Sequence, residues 1–380
     1  MLDKKSNFPL YMQLKNKIIE KIRGGEFKRG NPLPTEQELC ATFGISRYPV
    51  RQAMEELVKE GYLNRTRGRG TFVSEELPEA VSSAGKKLLG FVTGSFTAGF
   101  GGQVSRGFEK QARKRGYLTI ISSSESDAEE EILCIKRLIE AGVAGITIFS
   151  CDNTKLPEIV PELDERGIYL GLLDRNPQLS GYDYIGSDNA SGAYMAVRHL
   201  AMQGYRNVAF VSYKVSVSSV NERLEGYLGA VGEFGLKSIT HIDMEEELMR
   251  YPYSMHRFFV EKLKEELIEL KRHIPFGIFA VNDAIALQCM RILTDEGLVI
   301  GRDVGIVGFD NMTECEFSAH PLTSVAQNGL LIGQNAADMA IDKIEGKNTS
   351  VYRSIVPTQL VVRSSCGEKT IKDSVEPGTL

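Results

Sequence analysis

A chain of 380 residues is too long for one ordinary domain, and its 42% hydrophobic and 25% charged residues are the composition of a folded chain, which excludes long disorder. No run approaches the roughly 18 apolar residues of a membrane span, and the opening MLDKKSNFPLYMQLK has no apolar signal core, so a cytoplasmic protein with no membrane partner is expected. The net charge of −5 is uneven: residues 1–74 carry 14 Lys and Arg against 8 Asp and Glu, a net +6 that leaves −11 for the rest, as a nucleic-acid-binding head on an acidic body would have.

Residues 9–73 read as three helices and a hairpin. Leu10, Leu14, Ile18 and Ile22 recur every four residues on one helical face, which Gly24-Gly25 ends. Thr35 and Glu38 have capping-box spacing and open a second helix. After a turn at Gly44, a third helix starts at Ser46 and carries Val50, Ala53, Met54, Leu57 and Val58 on one stripe until Gly61. Short β-like runs at 62–65 and 71–73 flank the turn Arg67-Gly68-Arg69-Gly70. The small and polar residues of 75–87 read as a linker.

From Leu88 onward, apolar runs at 88–93, 118–122, 145–149, 168–173, 208–211, 277–280 and 304–308 alternate with helical patterns such as 103–115, 129–140 and 190–203. That alternation predicts an α/β fold of parallel sheets with crossover helices, and residues 88–380 are long enough for two such subdomains. The expected organisation is a winged helix-turn-helix at 1–74, the linker, and an effector and dimerisation domain at 88–380.

Arg47 and Arg51 lie four apart near the start of the third helix, where recognition helices place base-reading groups, because arginine bonds bidentately to guanine edges. Arg65, Arg67 and Arg69 at the hairpin suit phosphate or minor-groove contacts. Singly, each arginine is more often a solvated surface group; the spacing of the whole set favours DNA. The stretch PLYMQLKNKIIEKIRGGEFKRGNPLPTEQELCATFGISRYPVRQAMEELVKEGYLNRTRGRGTFV resembles the GntR winged-helix signature along its length. The resemblance implies DNA-facing roles for Gln37, Ser46, Arg47, Tyr48, Arg51, Arg67, Gly68 and Arg69, on a double-stranded operator bound by a homodimer. Proline at 49 is tolerated because it falls in a first helical turn.

In the body, polar residues follow the strands, where ligands bind in α/β sheets: Asp174 after 169–173, Asn282-Asp283 after 277–281, and Asp310-Asn311 after 304–309. Arg223 follows the serine-rich loop 216–219. Converging carboxylates, an amide and an arginine can bond a polyhydroxylated ligand from several sides, although an isolated Asp or Asn after a strand more often just caps the next helix. GYLTIISSS, LLDRNPQLSGYDYIGSDNASGAYMAVRHLAMQGYRNVAFV, ERLEGYLGAV, GIFAVNDAIALQCMRILTDEGLVIGRDVGIVGFDN and HPLTSVAQN resemble the LacI/GalR effector domain, of the periplasmic-binding-protein-like (type I) fold. With a GntR head the combination resembles regulators of the arabinose-repressor type. This implies a cleft between two α/β subdomains joined by three crossing segments, with small-molecule contacts from Asp174, Arg223, Asn282 and Asp310, and from Ser95, Phe100 and Gln327. The implied function is a transcriptional repressor of carbohydrate-utilisation genes released by a small sugar, a pentose such as arabinose. A purine or nucleoside ligand and co-repressor action remain open at this point.

An enzyme finds little support. Gly94 and Gly99 have the outer spacing of a P-loop, but Phe100-Gly101 stand where Lys and a hydroxyl residue belong. No HExxH or GxSxG occurs and the five histidines are dispersed, so no catalytic residue, cofactor or metal is expected. The six cysteines lack metal-ligand spacing and read as free thiols in a reducing compartment.

Overall fold

The computed structural model describes residues 10–66, 69–75, 87–94, 99–151, 154–176, 179–213, 217–244 and 257–367. It divides into two compact units, Met1–Ser82 and Ser83–Leu380. Most of the linker assigned to 75–87 lies outside the described residues.

The first unit holds α1 (Leu10–Arg23), α2 (Glu36–Phe43), α3 (Arg47–Lys59) and the antiparallel hairpin of β1 (Leu63–Thr66) and β2 (Gly70–Val73). The capping box forms at α2: the Glu38 amide donates to Thr35 Oγ1 (3.3 Å), and the Thr35 amide donates to Glu38 Oε2 (2.8 Å). Gly44 ends that helix at φ +62°, a left-handed conformation that costs glycine nothing. The apolar stripes meet in one core of Leu14, Ile18, Leu39, Val50, Leu57 and Leu63, with their neighbours. Lys15 bolts α1 to α3 through Glu56 (3.2 Å) and Glu60 (2.6 Å). Residues 30–33 lie along β2, for the Gly30 and Leu33 amides donate to Val73 and Thr71 carbonyls, and Pro32 makes an isolated antiparallel bridge with Phe72.

The second unit has two six-stranded sheets. In chain order the elements are β3 (Leu88–Thr93), α4 (Phe100–Lys114), β4 (Leu118–Ser123), α5 (Ala128–Ala141), β5 (Gly145–Ile148), α6 (Leu156–Glu165), β6 (Tyr169–Leu173) and β7 (Asp183–Ser187). There follow α7 (Asn189–Met202), β8 (Asn207–Tyr213), α8 (Ser218–Glu233), β9 (Lys237–Met244), α9 (Arg257–Glu269), β10 (Phe276–Ala280), α10 (Asp283–Asp295) and β11 (Val304–Asp310). The last are α11 (Glu314–Phe317), β12 (Thr323–Ala326), α12 (Gly329–Ile344), β13 (Arg353–Val356) and β14 (Gln359–Val361).

The strand orders are β13-β7-β6-β5-β3-β4 and β14-β12-β11-β10-β8-β9; every pair is parallel except β12 with β14. The chain therefore passes between subdomains three times, at 187–189, 326–329 and 356–359. Each carboxyl end of a parallel strand opens toward the crevice between the sheets, so residues just after the strands become neighbours.

Two helix pairs pack closely through small residues, α4 with α12 and α7 with α8. At Gly333 an added Cβ would meet the Val104 carbonyl oxygen at 2.0 Å and the Phe108 amide nitrogen at 2.7 Å. Backbone atoms cannot rotate aside, so Gly333→Ala is expected to cost about 1–3 kcal/mol of stability through overpacking. Urea unfolding of the full chain checks it, and an unchanged midpoint would mean the helices separate freely.

Candidate DNA-binding and effector sites

On the first unit, Gln37, Ser46, Arg47, Tyr48, Arg51 and Arg69 are all exposed. Arg67 and Gly68 lie outside the described residues. A concavity of about 620 Å³ opens between the starts of α2 and α3 and the wing, lined by Glu36, Gln37, Arg47, Arg65, Arg69 and their neighbours. The site thus gathers three separately encoded segments. Ser46 takes the extended N-cap conformation (φ −70°, ψ 165°), yet its hydroxyl makes no capping bond. Tyr48 in the first turn of α3 is 77% exposed, although a ring that size normally finds cover. Proline 49 also sits in that turn, where its missing N–H leaves no intrahelical bond unmade.

The arginines differ in their partners. Arg51 Nε donates to Glu55 Oε1 (3.0 Å), and Arg65 Nη2 donates to Glu36 Oε1 (2.8 Å), which ties the wing to α2. Arg47 and Arg69 hold no carboxylate among the described residues. The Arg69 amide donates to the Thr66 carbonyl (3.0 Å), which closes the wing turn.

In the second unit, Arg223 of α8 is the centre of a buried polar cluster. Its Nε donates to Asn189 Oδ1 (2.9 Å) and its Nη1 to the Val281 carbonyl (2.7 Å), while the guanidinium lies 3.8 Å from the Phe309 ring centroid. Asp310 Oδ1 stands 3.9 Å from Nη1 and accepts from Gln327 Nε2 at 2.6 Å. Asp174 sits across the cleft at the end of β6, buried, where the Arg223 charge acts on it. Burial holds both carboxyls above the ordinary range, against the pull of Arg223 on each. Asp174 (φ +59°), Asp310 (φ +112°) and Asn311 (φ +52°) are non-glycine residues in positive-φ backbone. Such conformations are costly and cluster where strand ends serve a ligand.

Asp174 Oδ1, Asn176 Oδ1, Ser187 Oγ and Gln327 Oε1 are buried and make no hydrogen bond among the described residues. Three of the four are acceptors only, and buried polar atoms are rarely left unmatched. They suit a ligand that presents several hydroxyl donors.

The other sequence-derived residues are placed variously. Asn282 caps α10, accepting from the Ile285 amide (3.0 Å), and also bonds Tyr213. Its neighbour Asp283 is wholly consumed by structure: Oδ1 accepts from Ser324 Oγ (2.6 Å) and Oδ2 from the Met312 amide (2.7 Å). Phe100 is buried at the start of α4, edge-to-face with Phe149 at 6.0 Å. Ser95 lies outside the described residues. Sequence reasoning missed Asn189, which orients Arg223 and donates through Nδ2 to Glu222 Oε2 (2.9 Å), and missed Phe149 and Arg175. The position after a strand end was the available signal for all three.

Residues 10–73 match the model of bacterial regulatory proteins of the gntR family, and 197–366 match the periplasmic binding protein-like domain. The arabinose metabolism transcriptional repressor of Geobacillus stearothermophilus is 28% identical, covering 96% of this chain and 100% of its own. That of Halalkalibacterium halodurans is 25% identical over 97% and 98%. A LacI family transcriptional regulator from Enterococcus faecalis V583, solved with bound ribose, has a TM-score of 0.63 and 25% identity, covering 74% of this chain and 98% of that one. The chain is a transcriptional regulator that joins a gntR-type DNA-binding head at 10–73 to a body with a periplasmic binding protein-like domain at 197–366, and over nearly its whole length it is similar to the arabinose metabolism repressors.

Proposed function

We propose that this protein is a cytoplasmic, non-enzymatic repressor that binds an operator as a homodimer and is released by a small sugar, a pentose such as arabinose. The observation that carries the reading is Arg223 beside Asp310 and acting on Asp174, with Asp174 Oδ1 and Gln327 Oε1 buried and making no hydrogen bond among the described residues. A pentose supplies four hydroxyl groups on a small ring, each both donor and acceptor, which match carboxylates and a guanidinium in one site. The free cysteines accord with a reducing compartment, and the names of the relatives accord with arabinose.

Two subdomains joined at three crossings can close as rigid bodies around such a ligand. Closure in each protomer would change the half-site spacing that the two heads present, while DNA demands one spacing. Sugar and operator then favour different states, so each weakens the other by an equal factor, about 5–150-fold in typical systems. Leu77 and Val81, expected to dock the linker on the body, lie outside the described residues.

The test is fluorescence anisotropy of labelled operator, selected from a random duplex pool, at increasing arabinose, xylose, ribose and purine nucleoside. Operator affinity should fall with a pentose, and pentose affinity should fall with operator by the same factor. Equal affinities with and without partner would leave two uncoupled domains. A common rise would make the protein co-repressor-dependent.

A further inference from the structure

A fully buried carboxylate lies outside the cluster described above. Glu131 of α5 has no solvent exposure, yet no cation pairs with it among the described residues. Instead it gathers donors from the segment that follows β5. Glu131 Oε2 accepts from the Cys151 amide (2.6 Å), Ser150 Oγ donates to both oxygens (3.2 and 3.3 Å), and Thr154 Oγ1 donates to Oε1. Thr154 Oγ1 in turn accepts from the Leu156 amide at 3.1 Å, the first residue of α6. Burying a carboxylate is expensive unless its lone pairs are filled. A loop that merely had to connect β5 to α6 would need no such group.

What Glu131 holds leads to the cleft. The Ser150 carbonyl accepts from Arg175 Nη1 at 3.1 Å. The Arg175 guanidinium lies 5.1 Å from the Phe149 ring centroid, and Phe149 abuts Phe100. Arg175 immediately follows Asp174, the carboxylate with an unpaired buried oxygen, and its charge acts on that group. One continuous set of contacts therefore runs from Glu131, through the backbone of Ser150 and Cys151, to Arg175 beside the ligand carboxylate.

We propose that Glu131 is a positioning residue of the effector site: it fixes Ser150, and through it the Arg175 guanidinium beside Asp174. This rests on the sugar reading above and adds to it a residue that never touches ligand. Asp174 also faces Arg223, Ser219 and Glu222 of α8, Tyr184 of β7 and Asp310 of β11. Burial raises its pKa, with Arg223 first and Arg175 second opposing. Freeing Arg175 removes one opposing charge, so Asp174 would take up its proton at higher pH and stop accepting from ligand hydroxyls sooner as pH falls.

The experiment is pentose titration calorimetry on the full chain between pH 5 and 8, for wild type, Glu131→Gln and Arg175→Met. Glu131→Gln should bind the preferred pentose about tenfold more weakly at pH 7, with the acid limb of affinity moved to higher pH. Its operator affinity without sugar should equal wild type. Arg175→Met should reproduce the moved limb. A purely architectural Glu131 would lower the melting temperature and leave the limb in place, which would overturn the proposal, as would an Arg175→Met limb like that of wild type. If Glu131→Gln does not fold, Arg175→Met and Thr154→Val decide by the same limb. A wild type that binds no pentose at any pH overturns the sugar reading itself, an outcome distinct from a sugar-binding wild type with unmoved variants.

Discussion

Arg223→Ala is expected to abolish effector binding, raising Kd at least about 100-fold, while operator binding no longer responds to sugar. The size follows from what the side chain does. It bridges Asn189, the Val281 carbonyl and Asp310, and it supplies the positive charge facing Asp174. Truncation leaves the buried Asp310 without its cation, Asp174 with only the Arg175 charge opposing its burial, and a carbonyl without its donor. Removing one partner of a buried charged group costs about 3–5 kcal/mol, so the variant should also melt lower than wild type. The buried bonds make some destabilisation, short of unfolding, part of the outcome. Calorimetry on the variant, with circular dichroism to confirm that both sheets persist, checks both parts. Arg223→Lys separates charge from geometry: a lysine keeps the charge but cannot donate in a fork. Wild-type sugar affinity in Arg223→Ala would remove Arg223 from the site.

The second large effect is at Arg47. Replacement by alanine should cost about 1–3 kcal/mol per half-site, or roughly 5–150-fold, and relax base preference at one position of each. Arg47 lines the concavity and holds no carboxylate among the described residues, so its guanidinium is available without breaking a pair seen there. Arg51 must share Glu55, so Arg51→Ala removes a charge that is already partly matched and should cost less. Arg69→Ala should instead weaken all sequences alike and flatten the salt dependence, as a phosphate contact does. Selection from random duplexes with each variant, followed by salt titration on the selected site, distinguishes base reading from phosphate contact. Unchanged base preference in Arg47→Ala would place the reading head elsewhere.

The winged helix was legible almost residue by residue, because its signals are local. A capping box four residues long, a glycine that must be left-handed and an apolar stripe of period 3.6 each specify their element without distant help. The seven apolar runs of the body coincided with strands, six of them for a related reason, since a strand buried on both faces is written as a continuous apolar run; the seventh, β4, is a sheet edge. Five strands were not legible. β7 and β12 bury Asp183, Thr323 and Ser324, whose polarity is matched by partners far along the chain, and β9, β13 and β14 are sheet edges with exposed positions.

The chain's own text determined the order of elements, the two kinds of domain and the positions, just past strand ends, where polar chemistry would collect. Only the tertiary structure decided which of those polar groups stay unsatisfied. Asn282 and Asp283 are adjacent and follow the same strand, yet one caps a helix and meets Tyr213 while the other is spent on Ser324 and Met312. Asp174, Arg223 and Asp310 come from three elements, and nothing in their spacing states that they meet. Periodicity reports which side of an element faces the core. Whether a buried oxygen finds its donor depends on what the other sheet brings to it through space, and that is set by three chain crossings.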